Sequence, residues 1–99
     1  ARHKTEDENP FFYNILIAQL YIDLNDLNKA YQYVNEAEKL KVPKTFIIDA
    51  YRQIIEKYES LNNFEPAIEI IQKHRLLDDL VFDAHMDRIH RKMIELEYQ

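Results

Sequence analysis

One stretch of the chain is written twice, and this duplication limits the possible folds more than any other feature. Leu24-Asn25-Asp26-Leu27-Asn28-Lys29-Ala30-Tyr31 returns as Leu61-Asn62-Asn63-Phe64-Glu65-Pro66-Ala67-Ile68, a period of 37 residues. The echo continues on both sides: Ile17 answers Ile54, Tyr21 answers Tyr58, and Val34 answers Ile71. A helical pattern repeating at such a period belongs to stacked helix pairs. Each pair carries more apolar surface than it can bury alone, so it leans on the next.

Composition narrows the reading further. Ninety-nine residues are enough for one small domain, and an apolar fraction of 46% excludes a disordered chain. Gly is 0 and Pro only 3, against sheets with tight hairpins and against any Gly-rich phosphate loop. The formal net charge of −5 argues against a nucleic-acid partner for this segment, since phosphate binding needs a basic stripe. With Cys 0, no disulfide or thiolate metal site exists. The longest apolar run, Ile15 to Ile22, is interrupted by Gln19 and is too short to span a bilayer. The chain starts at Ala1 rather than Met and stops inside a heptad pattern, so it reads as an excerpt. Membrane contact is expected only through segments outside it.

Taken in order, the chain reads as all-α. Residues 1–9 form a polar arm, residues 10–77 two helix-pair repeats (10–43 and 44–77), and residues 78–99 a longer C-terminal helix. Asn9-Pro10 starts the first helix. Its expected core stripe is Tyr13, Leu16, Ile17, Leu20, Tyr21 and Leu24, at spacings of three and four. Asn25-Asp26 makes the turn, Asn being the best non-Gly residue for a left-handed φ. The second helix, from about Leu27 to Leu40, is expected to bury Ala30, Tyr33 or Val34, Ala37 and Leu40 and to end before Pro43. Thr45 is expected to cap the third, which carries Ile47 or Ile48, Tyr51, Ile54 or Ile55, Tyr58 and Leu61 inward. Asn62-Asn63 turns again, Pro66 falls in the first turn of the fourth helix, and His74 points toward the third. In the last helix Phe82, Met86, Ile89, Met93 and Leu96 step by 4, 3, 4 and 3, the spacing that pairs helices lengthwise. These five form a candidate association seam, part of which can instead cap the repeats through Phe82 and Met86.

From Phe11 to Arg75 the chain resembles the tetratricopeptide repeat (TPR) family. The first repeat supplies Ala18, Tyr21, Ala30, Val34, Ala37 and Pro43, and the second supplies Tyr51, Tyr58, Ala67 and Ile71. It departs at Ile55, where the family has a small residue, at His74, where it has Ala, and at both turns, where Asn replaces Gly. The segment from Leu76 to Phe82 and on to Tyr98 is similar to the end of the repeat array in bacterial membrane-anchored signalling proteins, sensor kinases and transcriptional regulators. The resemblance implies an interaction or sensor segment with a protein or peptide partner, a possible homodimer through the last helix, and a periplasmic or other extracytoplasmic placement. A scaffold subunit of a soluble, cytoplasmic complex is the alternative.

By the repeat register, the groove face carries Phe12, Ile15, Gln19 and Ile22 in the first repeat and Asp49, Arg52, Glu56 and Glu59 in the second. One half is apolar and the other charged, so a peptide bound there would be an amphipathic helix with a basic side. His85 and His90 stand five apart, about 140° around a helix, which is poor zinc spacing. Asp83, Asp87 and Arg91 share a face that reads as solvated. No nucleophile–base pair emerges, and no catalytic residue, cofactor or metal is expected.

Overall fold

The computed structural model describes residues 10–98. These residues are all-α, with no strand: α1 Pro10–Asp23, α2 Leu27–Lys39, α3 Lys44–Ser60, α4 Phe64–His74, a 3-10 turn Arg75–Leu77, and α5 Asp79–Glu97. The polar arm at residues 1–9 lies outside the described residues. The chain divides into two compact units, Ala1–Tyr51 and Arg52–Gln99, with the boundary falling inside α3.

The duplicated stretch closes both turns by the same bonds. Asn25 and Asn62 adopt left-handed backbone, with φ of 61° and 56°. In the first turn the Asn25 and Asp26 N–H groups donate to the carbonyls of Ile22 (3.0 Å) and Tyr21 (2.9 Å). In the second, Asn62 and Asn63 donate to Glu59 (3.0 Å) and Tyr58 (2.9 Å). This is the Schellman arrangement, which satisfies carbonyls that the helix end would otherwise leave open. Asp26 then caps α2 by accepting from the Lys29 N–H at 3.4 Å. An Asn25→Ala variant is expected to lose ~1–2 kcal/mol, the cost of left-handed backbone for a residue with a Cβ and no local hydrogen bond. Asn25→Gly should cost little. Urea denaturation of both variants checks the pair, and equal losses would show that the turn's conformation is not the cause.

In the first unit α1 packs on α2. Ala18 of α1 and Ala30, Val34 and Ala37, the inner stripe of α2, are all fully buried. The core stripe expected for α1 is corrected. Tyr13, Leu16, Leu20 and Leu24 are 63%, 63%, 62% and 73% exposed, while Ala18 and Ile22 face inward. The reason is that α1 is apolar all round and carries no charged residue before Asp23. On such a helix the spacing of apolar residues does not say which side faces the partner. The small side chain of Ala18 lets α2 approach there.

The start of α3 is also corrected. The helix begins at Lys44, and the Phe46 N–H donates to the Pro43 carbonyl at 3.1 Å. Thr45 therefore lies inside the first turn and is not the cap. At the other end Leu61 falls just past the helix and is 57% exposed, so it is not on the buried face, while Ile54 and Ile55 are both buried. The second unit is built on Ile54, Ile55, Ala67, Ile71, Phe82 and Ile89, each 1% exposed or less. At the joint Leu76-Leu77 forms the 3-10 turn, and Asp78 caps α5 by accepting from the Val81 N–H at 3.2 Å. Arg75 grips Asp83 with two bonds, Nε to Oδ1 at 2.9 Å and a terminal guanidinium nitrogen to Oδ2 at 3.3 Å. This surface pair contributes at most about 1 kcal/mol, and it draws Asp83 toward the joint.

Candidate functional site

The apolar half of the expected groove belongs to the first unit. Phe12 is half-buried, its ring edge-on to Phe46 at 5.3 Å. Ile15 and Gln19 are also half-buried, and Ile22 is buried at 3%. Ile22 is thus a core residue and not part of a groove lining. The inward face of α1 is rotated toward it, for the same reason that Leu16 and Leu20 face out.

Of the charged half, Asp49 is exposed in the first unit, while Arg52, Glu56 and Glu59 belong to the second, where α5 reaches Glu59. Arg52 and Glu56 are exposed, but Glu59, one turn further along α3, is buried at 3% beneath α5. Arg88 reaches back from α5 and its Nε donates to Glu59 Oε2 at 2.8 Å. A terminal guanidinium nitrogen of Arg88 lies 2.7 Å from His85 Nδ1. An arginine can only donate, so Nδ1 must be the unprotonated nitrogen and His85 the neutral tautomer. His85 is 4% exposed, with Nε2 3.9 Å from Glu56 Oε2 and Nδ1 3.9 Å from Glu59 Oε1. Burial, followed by the Arg88 charge, holds its pKa below the ordinary histidine value, against the opposing pull of Glu56 and Glu59. Glu59 holds Arg88 more firmly protonated than a free arginine. The result is a buried polar cluster in which each side chain has a partner.

No family model, curated protein or solved structure matches the chain.

The candidate seam on α5 is divided along its length. Phe82 and Ile89 are fully buried and Met86 half-buried, so this part packs within the second unit. Met93 and Leu96 remain 39% and 41% exposed, with Ile94 beside them at 53%. The packing stripe of α5 is Phe82, His85 and Ile89, rotated toward His85 and away from Met86. His85, singled out in the sequence only for its poor zinc spacing to His90, is buried here beside Glu59 and Arg88. Arg88 was missed altogether. The sequence did carry one signal, since His85 falls three residues after Phe82 and four before Ile89, in step with two core positions. The salt partner of Arg88 on α3, Glu59, lies 29 residues back and has no local signature.

The tyrosines divide in the same way. Tyr51 is fully buried, and its hydroxyl donates to Glu38 Oε1 at 2.7 Å. Burial and that bond push its pKa well above the ordinary phenol, so it acts as a neutral donor. Tyr21 is half-buried and stacks on Tyr33 at 5.6 Å, with the Lys29 ammonium 5.5 Å from its ring. An open hollow of about 340 Å³ beside Lys29, Gln32, Tyr33 and Glu36 is lined by side chains of α2 alone. Among the described residues no second helix lines it, so they do not give it the convergent polar groups of a small-molecule site. Among the described residues no cluster of three or more His, Cys, Asp or Glu could hold a metal ion, and no helix is long and apolar enough to cross a membrane.

Proposed function

We propose that this chain is a protein–protein interaction scaffold made of two TPR-like hairpins. It would form the interaction segment of a bacterial signalling or transcription-regulatory protein, with α5 serving dimer contact or relay. The observation that carries this reading is the division of α5: one half is anchored by Phe82 and Ile89, while Met93, Ile94 and Leu96 keep apolar surface in solvent. Contiguous apolar surface on a stable scaffold marks an interaction face. The repeat-like part is supported by the 37-residue period, by the identical closing bonds at Asn25 and Asn62, and by the buried small residues Ala18, Ala30 and Ala67. The exposed stripe on α1 adds a second face of the same kind.

The test is sedimentation equilibrium on the chain and on a Met93→Lys/Leu96→Lys variant. Removing α5 outright would be uninformative, because its first half completes the core of the second unit. A dimer that becomes a monomer of unchanged helicity in the variant is the expected result. A monomeric parent chain would remove the dimer and relay and leave the plain scaffold.

A further inference from the structure

We infer that α5 is held to α3 by a proton-sensitive clasp, in which protonation of His85 breaks the Arg88–His85 hydrogen bond and loosens the helix. The geometry carries the inference. Neutral His85 Nδ1 accepts from Arg88 at 2.7 Å, and the same guanidinium donates to the buried Glu59 at 2.8 Å. Arg88 is thus oriented by two acceptors at once, one of which a single proton converts into a donor. After protonation an imidazolium on a ring 4% exposed would face the half-exposed Arg88 guanidinium at hydrogen-bond distance. Arg88 must then move, and with it goes the alignment that keeps the Glu59 carboxylate satisfied under α5.

The groups acting on His85 are Arg88 on its own helix and Arg52, Glu56 and Glu59 on α3. Glu56 and Glu59 attract a proton to the ring, each from 3.9 Å. Glu59 is already engaged by Arg88, and the Glu56 side chain is half exposed, so water screens it. Burial and the two arginines prevail, and the folded state binds the proton less readily than the unfolded chain. The sign follows from linkage. A depressed pKa in the folded state contributes stability that is complete above the ordinary histidine value of about 6.5 and is lost as pH falls below it. The helix α4, also packed on α5, carries one further buried titratable group, His74, which the test must control. The inference concerns the second unit alone and stands whether or not α5 associates with a second copy.

The experiment is amide hydrogen exchange, corrected for intrinsic rates, on the full chain between pH 7.5 and 5.5, a window chosen to lie above ordinary carboxylate titration. Protection along Asp79–Glu97 is expected to fall several-fold toward pH 5.5 in the parent and in a His74→Gln variant. It should stay flat in His85→Gln. An equal fall in His85→Gln, or no fall in the parent, would overturn the clasp. The His85 ring resonance, titrated by NMR in the parent chain, tests it without any variant. A midpoint below the ordinary histidine value is expected, and one at or above that value would overturn it as well.

Discussion

Replacing Phe82 by alanine is expected to destabilise the second unit by ~3–5 kcal/mol, the range for removing a fully buried aromatic side chain. Phe82 is 0% exposed and sits one turn into α5, just after the Asp78 cap. Its ring anchors α5 before the polar cluster begins. A chain of this length has a total stability of only ~5–15 kcal/mol, so the loss would remove a large part of it. Urea denaturation followed by far-UV circular dichroism would show the midpoint fall. A cost below about 1 kcal/mol would mean that the site collapses around the smaller side chain and that α5 is anchored elsewhere. Met86→Ala, at the half-buried neighbouring seam position, should cost clearly less, and a reversed order would overturn the placement of the packing stripe on Phe82, His85 and Ile89.

The second large effect is expected at Arg88. An Arg88→Met variant keeps much of the side chain's apolar stem but leaves the Glu59 carboxylate buried without its cation, and takes the donor from His85 Nδ1. Breaking a buried pair in this way costs about 3–5 kcal/mol, and the half-exposed Arg88 head places the expected loss near ~3 kcal/mol. The double variant Glu59→Gln/Arg88→Met removes the stranded charge and should recover more than half of that loss. The cycle separates two accounts that a single variant leaves mixed. If the double variant is no more stable than Arg88→Met, the damage comes from lost packing of the arginine stem and not from the buried carboxylate. The natural pair is also a weaker fastening than an apolar contact of the same size would be, because desolvation offsets much of its attraction. That is the energetic background against which one proton on His85 is able to matter.

The local elements were legible in the amino-acid sequence because their causes are local. Asn25 and Asn62 take left-handed backbone at equivalent places, a conformation Asn tolerates better than other residues with a Cβ, and the helices end there. Pro43 stops α2, Pro66 sits where a first turn tolerates it, and the spacing of Ala30, Val34 and Ala37 names the inner face of α2. The all-α fold follows from those signals together. Faces were legible only where polar residues mark the outside. On α2 Ala30, Val34 and Ala37 are buried as expected, but Leu40, past the end of the helix, is 44% exposed, and Leu27 is buried at the other end instead. On α1, with nonpolar residues on every side, the period could not choose between Leu16 and Ile22, and the contact with α2 chose.

What only the tertiary structure decided is the fate of α3's charged face and of α5. Asp49, Arg52, Glu56 and Glu59 read from the sequence as the charged half of a groove for a basic helix. In the structure Asp49, Arg52 and Glu56 stay exposed and Glu59 alone is buried, with α5 of the same chain bringing Arg88 and His85 to it from 29 and 26 residues away. Charge at that distance leaves no trace in a local pattern, because its partner is selected by how helices pack and not by their spacing. A buried glutamate looks like any surface glutamate until another helix is laid over it, and burial is what turns its solvated charge into a requirement for Arg88.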